Sequence, residues 1–356
     1  MKLLKCGNLI SGGVALLLGI ALLLTAAALP KPLQSQHQAE RWAGESGERF
    51  RQFTCVLSPG LTLEMNTIYG FRETVLKKLS ETDLEITDGS AAICDAWSAA
   101  GTLKVSGPRG SFDAAALAVG GRFFAFHPMT LCSGGFLGES DLMKDRVVLD
   151  EQLAWMLFGS SDVAGMTIQI GNLEFFVAGV VAQPDDRFSR AAGGKTPTIY
   201  LNYASREALG DSGTVCYEVV LPDPVNGFAK GVVEGLFAKQ GLVVENTDRF
   251  RFSASLRALR GIGSLGTRTT AVAFPPWENA AIMAETWCAL ARGGALFCFI
   301  WPAVLLVGAL CVLLRRAAAL LKRGGHGAKE ALLDWRDQQR VRRIGRSGGH
   351  SKDPRG

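Results

Sequence analysis

Acid–base and metal chemistry have little to work with in this sequence. Only four histidines occur in 356 residues. His127 alone lies in the interior of the stretch between two apolar ends, and His37 lies near the start of that stretch. A hydrolase triad needs a nucleophile, a base and an orienting acid. His127 with Cys132 is the nearest approach to a Cys–His pair, yet His127 sits between Phe126 and Pro128 in an aromatic, strand-compatible run, where a packed or capping histidine is the usual reading. The eight cysteines show no CxxC spacing, which removes a zinc site. A basic face on the folded part, which a nucleic-acid binder needs, is missing too. The formal net charge is +5, and most of the excess falls after residue 314.

Nucleotide motifs fail on context. Gly261–Gly266 (GIGSLG) fits GxGxxG but follows RFSASLRALR and precedes TRTTAVAFPP, without the strand before and helix after that a dinucleotide fold requires. Gly194-Lys195-Thr196 resembles the end of a P-loop. Ser189 stands where its first glycine would be, and Pro197 disfavours a helical Thr196. Asp150-Glu151 is not a carboxylate pair, because adjacent residues at a strand end point to opposite sides. Asp150 reads as a helix N-cap with Glu151 in the first turn. No enzyme chemistry, cofactor or metal is expected from the chain itself.

Charge is absent from two long apolar runs. Gly7–Leu29 (GNLISGGVALLLGIALLLTAAAL) follows Lys2 and Lys5, and Gly294–Leu314 (GALFCFIWPAVLLVGALCVLL) ends against Arg315 and Arg316. Each is close to the roughly 20 residues that cross the hydrocarbon core. Pro302 inside the second run is tolerable in a membrane helix. Basic residues crowd the chain after it: Arg315, Arg316, Lys322, Arg323 and Lys329, then Arg336, Arg340, Arg342, Arg343 and Arg346. The positive-inside rule puts that end in the cytoplasm, and two spans bring the N-terminus to the same side, in agreement with Lys2 and Lys5. The residues between the runs then face outward from the cell membrane. The competing reading of the first run is a signal peptide cleaved at Ala26-Ala27-Ala28. The run exceeds the usual apolar region of about 7–15 residues, which favours a retained anchor. In the tail, Leu332, Leu333 and Trp335 with flanking arginines predict an amphipathic helix on anionic lipid; the alternative is a docking helix for a cytoplasmic ATPase.

Between the runs, 32–50 is polar and reads as a stalk. Gln52–Leu57 is strand-like, and Ser58-Pro59-Gly60 breaks it. Thr62 caps a helix running to Ser80, with Met65, Ile68, Val75, Leu76 and Leu79 on one face. Leu84–Thr87 begins a further strand, and Thr102–Ser106 is a short strand before Gly107-Pro108. The plan recurs. Val215–Leu221 is a strand, Pro222-Asp223-Pro224 breaks it, and Val225–Lys239 is a helix with Val225, Phe228, Val232 and Leu236 on one face. Gly241 stops it and Leu242–Glu245 returns as a strand. Two such units predict a two-layer sandwich with helices on one side of a sheet. If their first strands are neighbours, Cys55 and Cys216 hold corresponding places and a disulfide is geometrically open to them. Of the outward cysteines Cys55, Cys94, Cys132, Cys216 and Cys288, the odd count leaves at least one unpaired, with Cys288 nearest the membrane.

The stretch between the two units is β-rich. Gly121–Leu137 is strand-compatible, Val147–Asp150 is a buried-type strand, and Glu151–Phe158 makes one or two helical turns. Gly159–Gly165 is a turn, and Met166–Ile170 with Leu173–Val181 forms a hairpin around Gly171-Asn172. Near the second span, Pro275-Pro276 starts a helix and Trp277 suits an interfacial belt. Trp277-Glu278-Asn279 is the candidate segment for passing motion between the outer domain and the membrane.

The motifs GGRFF (120–124), GGFL (134–137) with Glu139 and Asp141 after it, VVLDEQLAWMLFG (147–159), SSDVAGMTI (160–168) and FFVAGVV (175–181) hold a fixed order and spacing. Together they resemble the extracytoplasmic core domain of the MacB-type ABC permease family, in its Gram-positive branch. CYEVVLPDPVNGFA (216–229) and FPPWENAA (274–281) add a weaker likeness. The resemblance implies an α+β fold: a discontinuous βαβ-type, porter-like α/β sandwich with an inserted small β-rich subdomain, flanked by two transmembrane helices. It divides the chain into a cytoplasmic N-terminus (1–6), a first transmembrane helix (7–29), a stalk (30–50), the first porter-like half (51–120) and the β-rich insert (121–210). The second porter-like half (211–276), a juxtamembrane helix (277–293), a second transmembrane helix (294–314) and a basic cytoplasmic tail (315–356) follow.

The resemblance further implies a permease-type ABC subunit, for export or mechanotransmission, that is itself non-catalytic. It would work in a homo- or hetero-oligomer with other permease subunits and with a separate ATPase that binds the ATP. Family permeases usually have four membrane helices, three of them after the outer domain. The polar, basic stretch after Leu321 cannot supply two more. The alternative expectation is therefore an anchored binding or scaffold protein of the cell envelope without transport activity.

Overall fold

The structure, a computed structural model, describes residues 6–81, 93–138, 143–193, 196–209, 213–260 and 274–347. In chain order the elements are α1 (Cys6–Ala28), α2 (Gln38–Ala43), β1 (Phe50–Leu57), α3 (Met65–Ser80), β2 (Cys94–Gly107), β3 (Gly110–Gly121), α4 (Phe123–Phe126), β4 (Thr130–Gly134), β5 (Arg146–Asp150) and α5 (Glu151–Phe158). They continue with β6 (Thr167–Ile170), β7 (Leu173–Ala182), α6 (Arg187–Ala191), β8 (Thr198–Asn202), β9 (Val215–Pro222), α7 (Phe228–Phe237), β10 (Gly241–Glu245), α8 (Phe252–Arg260) and α9 (Pro276–Ser347). Short 3-10 helices occupy Gln34–Gln36 and Tyr203–Leu209. The chain divides into two bodies, Leu23–Gly293 and Met1–Leu22 with Gly294–Gly356.

In the larger body the ten strands among the described residues make one sheet, in the order β10-β1-β9-β2-β3-β8-β5-β7-β4, with β6 paired to β2 and β7. The two predicted strand–helix–strand units interleave. β9 lies between β1 and β2 and is antiparallel to both, while β1 lies between β9 and β10. This is a split βαβ arrangement. The β-rich stretch continues the same sheet: β8 runs parallel to β3, and β6 adds to β2. The fold class is α+β.

Alternation along the strands gives the sheet two buried faces. Val147 and Leu149 of β5, and Ile199 and Leu201 of β8, belong to one core; Val148 and Tyr200 belong to the other. The first face is covered by α3, α7 and α5 through Ile68, Phe71, Val75, Val232, Val233, Leu153 and Leu157. The second collects Ala39 of α2, Phe123 and Phe126 of α4, and Trp277 at the start of α9. The chain segments adjoining the two apolar helices therefore lie on this second face.

Local details depart from the sequence reading. Helix α3 starts at Met65, with Glu64 rather than Thr62 at its extended N-cap position. Its buried residues are Ile68, Phe71, Val75 and Leu79. Phe71 takes the place expected of Leu76, because steps of three and four residues keep a stripe on one side of a 3.6-residue helix. Helix α7 starts at Phe228, since Gly227 adopts a left-handed conformation (φ 92°) that ends the preceding turn; Val225 stays outside it and exposed. Phe123–Phe126 is a helical turn, not strand. Gly121 reverses the chain ahead of it at φ +61°, where a Cβ would stand 2.6 Å from Asp95 O. Asp150 caps α5, its carboxylate accepting from Leu153 N–H at 2.6 Å. The strand candidate Leu84–Thr87, the acidic Glu139 and Asp141, the Gly261–Gly266 motif, and Gly194 and Lys195 lie outside the described residues.

The smaller body brings α1 against α9. A Cβ at Gly12 would stand 2.5 Å from Leu305 Cδ1, and one at Gly19 would stand 2.5 Å from Phe299 Cε1. Trp301 Nε1 donates to Ser11 Oγ at 3.0 Å. Close approach through glycine is how helices associate in lipid, where no hydrophobic force drives them together. Leu17, Phe297 and Leu306 face outward. Gly7–Ala28 and Pro276–Leu321 are long and apolar enough to cross a membrane. Helix α9 runs unbroken for 72 residues, through Pro302 and past the exposed Leu332, Leu333 and Trp335.

Candidate functional site: where the two linkers meet the sheet

The segment after α1 is strapped to the sheet by polar contacts. Gln52 of β1 is fully buried. Its Oε1 accepts from the Gln38 N–H at 3.0 Å, capping α2 in place of a local side chain, and its Nε2 donates to Ser35 O at 2.6 Å. Arg41 donates to the Ala125 carbonyl of α4 at 2.8 Å. His37 Nε2 lies 3.1 Å from Pro30 O. The stretch that the sequence suggested as a polar stalk thus has buried Leu33, Gln36, Gln38 and Ala39.

The first turns of α9 are held by aromatic and charged contacts. The Trp277 ring lies 4.3 Å from that of His127 and 5.8 Å from that of Phe123. His127 Nε2 lies 2.6 Å from Glu218 Oε2 of β9, and both side chains are buried. Beside them, Arg249 forms ion pairs with Glu278 at 2.8 Å and Glu285 at 3.1 Å. The same guanidinium donates to Gln36 Oε1 at 3.4 Å, so one side chain contacts both linkers. Burial alone would lower the Arg249 pKa. Glu278 and Glu285 outweigh it and raise the pKa above the ordinary value, keeping the charge fixed. Further along α9, Arg292 donates to Ser255 Oγ and to Arg251 O at 3.0 Å. In this network the ionisable groups are spent on one another.

Of the candidate segment, Trp277 and Glu278 belong to this network. Asn279 does not: its side chain donates to the Phe274 carbonyl at 3.1 Å, a local bond at the start of the helix. Cys55 and Cys216 do lie on neighbouring strands, but Cys55 is opposite Tyr217, and Cys216 is opposite Val56. That one-residue offset sends the thiols to opposite faces of the sheet, where no disulfide can span. Both are free, and burial pushes both thiols well up. His127 is engaged by Glu218, whereas Cys132 is exposed with its sulfur beside Thr130 O. Among the described residues no group of histidine, cysteine, aspartate and glutamate is arranged to hold a metal ion.

Glu218, Arg249, Gln52 and Gln36 are the members that the sequence reading missed. Glu218 did leave a signal: a lone carboxylate inside the apolar strand VCYEVVL must either face water or find a buried partner.

The fold and this joint together define a class: a sheet domain flanked in the chain by two helices long and apolar enough to cross a membrane, and bonded to the segments that lead to them. Residues 37–227 match the family model of the MacB-like periplasmic core domain. That match takes in more than half of the chain, and the chain belongs to this family. Among solved structures, the periplasmic region of MacB from Actinobacillus actinomycetemcomitans is similar at 17% identity over 62% of this chain and 94% of that one, with a TM-score of 0.39. The extracellular domain of the noncanonic ABC-type transporter YknZ from Gram-positive bacteria is similar at 11% identity over 55% of this chain and 99% of that one, with a TM-score of 0.36. No curated protein matches.

Proposed function

We propose that this chain is a permease-type subunit of an ABC system working in export or mechanotransmission, non-catalytic itself and driven by a separate ATPase that binds the nucleotide. The observation that carries the proposal, given the family, is Arg249: it bonds to Gln36 after α1 and to Glu278 and Glu285 in α9. Arg249 ties the two linkers to each other, while Gln52 and the Trp277–His127–Glu218 contacts tie them to the sheet, so movement of either linker would be felt by the other and by the sheet. In this reading both chain ends are cytoplasmic, the basic tail contacts lipid or the ATPase, and other permease subunits complete the membrane part as a homo- or hetero-oligomer. The cycle is conformational: the ATPase state shifts the helices, and the outer domain follows between two arrangements. Trp277 and Glu278 are the coupling residues.

The test is copurification. Full-length tagged protein is expected to bring down an ABC ATPase, and deletion of 323–356 is expected to lose it while leaving the outer domain folded. Absence of any ATPase from the full-length preparation would refute the proposal. It would favour the second reading, an anchored binding or scaffold module of the envelope. One observation speaks for that second reading: Trp155, Met166, Leu173 and Phe176 of the β-rich stretch are all exposed apolar side chains.

A further inference from the structure

Helix α8 (FSASLRALR) contains no acidic residue. Phe252, Leu256 and Leu259 recur at i, i+4 and i+7, which puts them on one stripe of the helix. Ser253 and Arg257 are exposed off that stripe. Three points along this segment meet the same two residues of α9. Arg292 donates to Arg251 O at 3.0 Å and to Ser255 Oγ, and a Cβ at Gly293 would stand 3.2 Å from Leu259 Cδ1. Between Arg251 and Leu259 a helix advances about 12 Å, while the contact on α9 moves by one residue, about 1.5 Å. Helix α8 therefore crosses α9 and does not run beside it.

The crossing adjoins the uncharged run Gly294–Leu314, whose 21 residues rise about 31 Å, close to the thickness of the hydrocarbon core. It falls where hydrocarbon would give way to headgroups. There Phe252 is 44% exposed, and Leu256 is only partly buried. Arg251 is paired with Asp248 at 2.6 Å, but Arg257 forms no ion pair among the described residues. An apolar stripe left uncovered beside an uncommitted cation is the pattern of a helix that lies in a membrane interface.

We infer that α8 lies flat on the leaflet at the sheet domain's side of the membrane. Phe252 and Leu256 rest at the acyl boundary, and Arg257 meets the phosphate of an anionic phospholipid. Arg292 holds α8 to α9 in that position. The inference rests on α9 spanning a membrane and not on any ATPase partner.

The probe is a photo-crosslinker, Phe252→p-benzoylphenylalanine, in the full chain. The nanodiscs hold phosphatidylglycerol and phosphatidylcholine in equal mole fractions, with one or the other radiolabelled. Both lipids are expected to label the protein, with phosphatidylglycerol enriched about fivefold, the effect of one cation near an anionic surface. Arg257→Gln should bring the two lipids within about twofold of each other and leave total labelling in place. The same crosslinker at Leu173 should take up no lipid. Leu173 pairs with Ile170, which pairs with Val105, at the end of β2 opposite Ala96 and Gly121, where the chain turns toward α4. Should the Phe252 variant fail to fold, the exposed Ser253 takes the crosslinker with the same expectations. No lipid label from a chain retained in nanodiscs, crosslinking to protein in place of lipid, or the same enrichment with and without Arg257 would each overturn the inference alone. Failure of the chain to stay in nanodiscs would overturn the membrane span along with it.

Discussion

Arg249→Leu is the perturbation that most directly examines the joint. The Arg249 side chain is 3% exposed, and its partners Glu278 and Glu285 are 0% and 19% exposed. Removing one partner of a buried ion pair strands the other charge and costs about 3–5 kcal/mol. Glu285 can turn toward water, whereas Glu278 cannot, so the loss should fall in the middle of that range. A body of this size loses about 2–4 °C of melting temperature per kcal/mol, which puts the expected drop at roughly 8–16 °C. The double variant Arg249→Leu with Glu278→Met replaces the pair by apolar side chains. It should recover most of that loss, since a buried pair exchanged for well-packed apolar groups is often neutral.

The assay is thermal unfolding of full-length protein in nanodiscs at a fixed scan rate, with amide exchange measured in parallel. In Arg249→Leu, exchange should rise in 34–43 and in 276–290 together, while β5 and β7 keep their protection. A drop under about 2 °C, or a double variant less stable than Arg249→Leu, would refute the argument that this guanidinium, which touches both linkers, neutralises a buried charge.

Three further outcomes follow from other parts of the molecule. Burial pushes the Asp150 carboxyl up to about 6, against hydrogen bonds from Leu153 N–H and Gln183 that pull it down. The folded state therefore binds this proton more tightly than the unfolded chain, and the group's penalty, about 3 kcal/mol at neutral pH, fades as pH falls through 6 toward 4. Asp150→Asn keeps a good cap, so it should stabilise at pH 7.5 and do little at pH 4; parallel stability profiles for the two proteins would contradict this. At Gly19 a Cβ meets the Phe299 ring at 2.5 Å, whereas at Gly13 nothing lies within 4 Å. Gly19→Val should thus weaken disulfide cross-linking between cysteines placed at positions 11 and 301, and Gly13→Val should not. Cys55 and Cys216, facing opposite sides of the sheet, should give the same intact mass with and without reductant; a shift of two hydrogens assigned to this pair would show the register to be wrong.

The repeated strand–helix–strand plan was legible because its signals are local. Ile68, Val75 and Leu79 recur at helical spacing, VCYEVVL reads as a strand, and Pro222-Asp223-Pro224 closes it. Asp150 as a cap was equally plain, since the chemistry of an N-cap is complete within four residues. The strand order was less accessible. Whether β9 inserts between β1 and β2 depends on pairings across more than a hundred residues of chain, and periodicity carries no such information. Phe123–Phe126 misled for a related reason. Aromatic residues suit a strand by propensity, but here Gly121 reverses the chain and Phe123 and Phe126 pack into the second core, so tertiary burial overrode preference. Gln36 looked like solvent-facing stalk, and Arg249 sat in a basic-looking DRFRF run. Only the fold reveals that they meet.

Stability alone does not account for so many ionic groups beneath the linkers, since a buried ion pair is weak evidence for stability. Their geometric consequence is clearer. Sliding α9 by one residue rotates it by about 100° and moves it about 1.5 Å. That would take Trp277 off the His127 ring and break the Glu278–Arg249 ion pair in the same step. Intermediate positions are therefore costlier than either a fully seated or a fully released helix. Apolar contacts alone would let α9 creep between neighbouring registers at small cost, because leucine-like surfaces repack easily. On the proposed function, a charged seat of this kind would make the linker's position close to all-or-none, as a domain that follows a membrane helix between two states requires.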